Sequence, residues 1–127
     1  MGSESWSVWV KYSKSMKHTL QVAKQQALEE LGYATEEEAL EATEADGTAS
    51  PVDIFNGFAS EAEPGSCWEL DEDTLEAHFG SATPTKAQVE ENVDALVEEL
   101  GRGESLCVLA YAKGKPAQVL FAGWSFD

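Results

Sequence analysis

Arginine occurs once in this 127-residue chain, and histidine and cysteine occur twice each. These scarcities exclude several classes of protein. Two cysteines, Cys67 and Cys107, cannot build a disulfide framework; they suit a reduced, cytoplasmic setting. Eight lysines and arginines stand against 24 acids, so the chain as a whole is no basic nucleic-acid binder, and direct nucleic-acid contact is not expected. No apolar run approaches the roughly 18 residues of a membrane-spanning helix. A cationic start followed by an apolar stretch is missing too, so no secretory signal is expected. The myristoylation pattern fails because Trp6 stands where Ser or Thr is needed. The glycines of a P-loop or a dinucleotide fingerprint are absent. His18, Cys67, His78 and Cys107 lack any zinc-type spacing.

What the chain does have is acid. The net charge is −16, with 18 Glu and 6 Asp. Its distribution is uneven: residues 1–24 carry +3, residues 25–104 carry −20, and residues 105–127 carry +1. Three readings compete. Charge far from zero keeps a small protein soluble. A salt-loving host would also select acid, although Glu and Lys dominate here where Asp and fewer Lys are expected. Third, an acidic face can dock a basic partner, with association speeded by the summed potential and weakened by salt.

The composition, 43 % apolar with 9 % aromatic, is globular. Area scaling gives about 20,000 Å² unfolded and roughly 6,600 Å² folded, enough burial for one core. One domain over 1–127 is expected, with Met1–Glu4 as a loose start. Trp6, Val8, Val10 and Tyr12 alternate with Ser7, Trp9 and Lys11, the period of a strand. Met16, Leu20, Ala23, Ala27 and Leu31 then form one helical stripe, capped by Ser13 or Ser15 and closed by Gly32 with Tyr33. Thr35–Glu38 is a capping box opening a short acidic helix to about Ala45. Asp46-Gly47 signals a turn. Between Ser50 and Phe58 the pattern fits either a proline-started helix or a strand. Cys67–Leu70 suits a short strand. Asp71 or Asp73 can cap a short helix with Leu75 and Phe79 inward and Gly80 at its end. Thr85–Gln88 is a second capping box, followed by Val89, Val93, Leu96, Val97 and Leu100 on one face and closed by Gly101. Leu106–Ala112 and Ala117–Phe126 form a hairpin around Lys113-Gly114-Lys115-Pro116. The fold expected is α+β: a mainly antiparallel sheet of the N-terminal strand and the C-terminal hairpin, with one or two further strands and helices on one face.

The residues able to carry chemistry are few. Cys107 lies within a strand run, where cysteine is usually a small buried hydrophobe. Cys67, before Trp68, is the better candidate thiol; a Cys–His pair is chemically available in principle, and Cys67 or His78 would be the reactive group of an enzyme. Glu69, Asp71, Asp73, Glu76 and His78 cluster within ten residues. Counted from Asp71, however, the sixth position is Glu76 and not the glycine of an EF-hand loop, so no metal is expected. Ser13, Lys14, Ser15 and Lys17 lie between strand and helix, where backbone N–H groups and lysines can receive an anion. The strands are apolar on both faces, so the second face needs cover from the middle segment, from a second copy or from a ligand near Trp9, Tyr111 and Trp124.

The leading expectation is therefore a small acidic cytoplasmic binding or regulatory protein without catalysis or cofactor. It would be of inhibitor, immunity or nucleic-acid-mimic type and dock a basic protein through Glu36, Glu37 and Glu41 on one helix and Glu90, Glu91, Asp94 and Glu98 on another. The alternatives are a ligand-binding domain or small enzyme using the aromatic sheet face, and a structural homodimer built on the sheet.

Overall fold

A computed structural model describes residues 5–43 and 48–125. The expected loose start at 1–4, the Asp46-Gly47 turn, the end of the acidic helix near Ala45, and Phe126 lie outside the described residues.

The N-terminal alternation forms strand β1 (Ser5–Lys11), and the change of period at Met16 marks helix α1 (Met16–Leu31). Ser15 caps α1, accepting from the His18 N–H at 3.1 Å. Gly32 closes it at φ 85°, and the N–H groups of Gly32 and Tyr33 both donate to the Leu28 carbonyl. Helix α2 (Glu36–Thr43) opens as expected, the Glu38 N–H donating to the Thr35 hydroxyl. The ambiguous middle contains both forms that its pattern allowed. Pro51–Asp53 is a single 3-10 turn capped by Ser50, and Phe58–Ala59 is a two-residue strand, β2. Strand β3 (Cys67–Glu69) leads into α3 (Glu72–Phe79), which Asp71 caps and Gly80 ends. Helix α4 (Lys86–Glu99) carries the reciprocal Thr85–Gln88 capping box. Its end departs from expectation: Leu100 continues extended, so Gly101 is not a left-handed cap. Strands β4 (Ser105–Ala112) and β5 (Lys115–Trp124) form the hairpin. Lys113 at φ 53° and Gly114 at φ 76° make the two-residue turn whose twist matches the strands.

The five strands lie in the order β1-β5-β4-β3-β2. The sheet is mixed, which corrects the expectation of a mainly antiparallel one. β5 pairs antiparallel with β1 and β4, while β4, β3 and β2 pair parallel. Four strands thus point one way and β5 alone opposes them. Helices also cover both faces, not one. The physical reason is the direction of the crossovers. The connection from β1 to β2 crosses the sheet one way; the connection from β3 to β4 returns the other way. A right-handed crossover can satisfy both only with helices on opposite faces.

The packing follows. On one face α3 and α4 set Leu70, Phe79, Val89, Val93 and Leu96 against Leu106, Val108, Ala110, Leu120 and Ala122. On the other, α1 sets Leu20 and Ala23 against Val10, Cys107, Val119 and Phe121, with Ile54 from the middle segment. Helix α2 packs on α1 through Ala27, Leu28, Ala39 and Val52. The second apolar face is therefore covered by α1 and the middle segment of the same chain.

Buried Asp53 organises that middle segment. Its carboxylate accepts from the Thr48 N–H and hydroxyl, both at 2.6 Å, and from the Ala49 N–H at 3.0 Å. A carboxylate 2 % exposed is tolerable only with such donors. They also hold Ala49 at φ 50°.

Candidate functional site

The inward stripe of α4 leaves Glu90, Glu91, Asp94, Glu98 and Glu99 exposed on its outer surface. Helix α3 packs beside α4 on the same sheet face and exposes Asp71, Glu72, Asp73 and Glu76. Nine exposed carboxylates therefore share one helical layer, and Lys86 is the only lysine or arginine on these two helices. None of the nine forms an ion pair among the described residues. The Asp71 carboxyl is held below the ordinary carboxylate range by the hydrogen bonds it accepts from Thr74 at the start of α3.

The acids of α2 lie elsewhere. Glu37 and Glu41 are exposed, and Glu36 is partly buried and paired with Lys24 at 3.0 Å. Because α2 packs on α1, the sheet separates these three from the α4 acids. The structure thus divides the expected acidic set. To the expected α4 group it adds Glu99 and, from the start and body of α3, Asp71, Glu72, Asp73 and Glu76, which the sequence had not placed on a docking face. The register of α3 against α4 joins them, and no spacing within the chain encodes it.

The aromatic candidates are not brought together. Trp9 borders a groove of about 350 Å³ between β1 and α4, whose walls include Trp6, Val93, Val97, Glu90 and Asp94. The Lys86 ammonium lies 5.1 Å from the centre of the Trp9 ring, a cation–π contact. The Trp124 indole N–H donates to the Val97 carbonyl at 2.7 Å, which ties the strand to the end of α4. Tyr111 belongs to a cleft of about 540 Å³ outside the carboxyl ends of β3 and β4, with Met16, Leu75 and Val108 among its apolar walls and Glu69, Asp71 and Glu72 on its rim. A register shift between Ala110 and Tyr111, with the Tyr111 N–H turned to the Pro84 carbonyl at 2.8 Å, places that ring.

Ser13, Lys14 and Ser15 form one tight turn, with Lys14 at φ 62°, and Lys17 follows in the first turn of α1. Several of the donors here are already engaged. The Ser13 N–H donates to Thr19 Oγ1 at 3.0 Å, and the Thr19 hydroxyl donates to the Ser15 carbonyl at 2.7 Å. The Ser15 hydroxyl is the cap of α1, and the exposed ammonium groups of Lys14 and Lys17 stand beside it.

Cys67 and Cys107 are free thiols at 0 % and 2 % exposure, on adjacent strands and in the same core cluster but diagonal to one another, Cys67 opposite Ser105 and Cys107 opposite Glu69. The hydrogen bond with Cys67, and then burial, push the Cys107 thiol well above its ordinary range, so it stays protonated. Cys67 is thus no accessible nucleophile. His78 is exposed at the end of α3 and does not line the cleft. Among the described residues no group of three or more His, Cys, Asp or Glu could hold a metal ion. None of the described helices is long and apolar enough to cross a membrane. No protein-family model matches the chain, and the comparisons with curated proteins and with solved structures found no match.

Proposed function

We propose that this protein is a non-catalytic acidic docking protein that binds a basic protein partner through the outer surface of α3 and α4. The observation that carries the reading is the layer of nine exposed carboxylates with no ion pair among the described residues. Nothing in the packing requires that arrangement. Acids at the start of α3 complement its dipole, but Glu98 and Glu99 sit in the last turn of α4, where negative charge opposes the dipole and costs stability. Like charges gathered on one face repel one another, and a basic surface relieves that repulsion. An inhibitor, an immunity protein or a mimic of nucleic-acid charge would each use such a face.

The test compares two variants. One carries Glu90→Gln, Glu91→Gln, Asp94→Asn and Glu98→Gln; the other carries Glu36→Gln, Glu37→Gln and Glu41→Gln on the opposite layer. A basic protein retained from host extract at low salt and released at high salt is purified and its affinity for each variant measured. The α4 variant should bind on the order of tenfold or more weakly, mainly through slower association, and the α2 variant near the parent value. Unchanged affinity in the α4 variant overturns the reading.

The 540 Å³ cleft supports a second reading, a small-ligand site. It lies outside the carboxyl ends of parallel strands, where open α/β sheets take ligands, and its volume is in the range of such sites. Apolar walls below a carboxylate rim suit an apolar amine. A ligand-induced rise in melting temperature that Tyr111→Ala abolishes would support it, and the absence of any such ligand in an amine series would remove it.

A further inference from the structure

The acidic layer is continuous with an open edge of the sheet. Among the described residues β1 is the outermost strand, seven residues long, and pairs with β5 alone. The Tyr12 N–H donates to the Ala117 carbonyl at 3.0 Å, in register with the β1–β5 ladder. Antiparallel pairing alternates, so Trp6, Val8 and Val10 bond toward β5, while the N–H and C=O groups of Ser5, Ser7, Trp9 and Lys11 point outward. Among the described residues those groups have no partner. The opposite edge, β2, is only two residues long and offers no comparable row.

The edge is also flanked on both faces. On the α4 side lies the 350 Å³ groove bordered by Trp9, Val93, Glu90 and Asp94. On the α1 side a smaller groove of about 160 Å³ is bordered by Val8, Ala27 and Glu30. Trp6 borders both, and its buried indole N–H has no partner among the described residues. An added strand would send alternate side chains into these two grooves, one walled by Glu90 and Asp94 and the other by Glu30.

We propose that β1 receives an extended segment of the basic partner as a sixth strand, with lysine or arginine side chains on one face of that segment reaching Glu90 and Asp94. The inference rests on the acidic-docking reading and specifies how the partner is engaged. Charge selects the occupant. A second copy pairing β1 to β1 in antiparallel would have its two-fold axis normal to the sheet. That would set the two α4 helices on the same side, bringing Glu90 and Asp94 of each toward the other between two proteins of charge −16. A basic strand meets the same carboxylates with attraction.

The probe is a nine-residue peptide alternating lysine with valine and threonine. Its control has the same sequence with the amide nitrogens on the pairing edge N-methylated, which leaves charge and composition intact but removes the ladder donors. Binding is followed by tryptophan fluorescence and by amide chemical shifts of the full chain at low salt. The expected result is binding that shifts the Ser7, Trp9 and Lys11 amides and falls at least tenfold for the methylated peptide. Ser7→Pro should weaken the parent peptide similarly. Proline is tolerated at an edge where the lost N–H faces outward, so the β5 ladder survives. Equal binding of both peptides overturns strand addition. If that equal binding is salt-labile and lost in the α4 variant, the acidic face still docks basic chains and only the edge mode fails. Binding that survives in the α4 variant sinks the acidic-face reading instead. No binding of either peptide, or a dimer with protected β1 amides in the free protein, also overturns the proposal.

Discussion

Gly123 sits near the end of β5, between the edge strand β1 and β4, opposite Trp6 on one side and Ser105 on the other. A Cβ added there would lie 2.6 Å from the Glu104 carbonyl oxygen, 2.6 Å from Ser105 Cβ and 2.9 Å from Ser105 Cα. All three are backbone or directly attached atoms, so no side chain can rotate away. Gly123→Ala therefore has to part β4 from β5 by close to 1 Å, since ordinary carbon contacts begin near 3.5 Å. Two rungs stand beside the clash: Trp124 N–H to Glu104 O at 3.1 Å and Gly103 N–H to Ser125 O at 3.0 Å. Losing or stretching them costs about 1 kcal/mol each. Overpacking adds about 1–3 kcal/mol. The stiffer unfolded chain returns about 0.4–1 kcal/mol. The net destabilisation is about 2–4 kcal/mol. In urea, with a slope of about 2 kcal/mol/M, the middle of the range for small proteins, the midpoint should fall by about 1–2 M. Gly101→Ala is the matched control. It makes the same chemical change at a glycine whose Cβ would meet the Glu104 side chain at an ordinary 3.5 Å. It should move stability by less than about 0.5 kcal/mol. Equal midpoints for the two variants would refute the argument.

Two further outcomes follow from buried groups. Asp53→Ala removes the acceptor of at least three hydrogen bonds and leaves the Thr48 N–H buried without it, so the chain should lose about 2–4 kcal/mol in the same urea assay, and Asp53→Asn less. The cysteines should resist a small alkylating agent in the native protein and react once it is unfolded, as mass spectrometry would show. Because the folded Cys107 thiol titrates above the unfolded one, its contribution is fully present below the unfolded value of about 8.5 and is lost as pH rises through the folded value. Cys107→Ala should therefore flatten the alkaline limb of the stability profile above about pH 9, and an unchanged limb would contradict the thiol pairing.

Local signals were legible wherever a residue's own backbone chemistry decides the outcome. Ser15, Asp71 and Thr85 cap their helices, Gly32 and Gly80 end theirs in left-handed geometry, and Lys113-Gly114 turns the hairpin. Gly101 misled, because Leu100 turns extended and no left-handed residue is required. Residues 50–58 stayed ambiguous for a physical reason. Asp53 is tied to Thr48 and Ala49, which fixes the approach to a single 3-10 turn capped by Ser50, and no periodicity encodes such a tie. The three-residue β3 and two-residue β2 are too short for periodicity to set their direction.

The candidate surface divides along the same line. That Glu90, Glu91, Asp94 and Glu98 face outward is dictated by the 3.6-residue period of α4 against its apolar stripe. That α2's acids are cut off from them, and α3's acids joined to them, depends on which face each crossover takes. Strand direction and right-handed connection decide that face, and neither is written in any local stretch of residues. The chain's own pattern thus determined its helices, its hairpin and its charge. Only the tertiary structure decided that β5 alone runs against the other described strands, that helices cover both faces, and that β1 is left as an open edge beside Glu90 and Asp94. These are properties of long-range pairing, in which the competing arrangements bury nearly the same residues and differ in how the strands are connected.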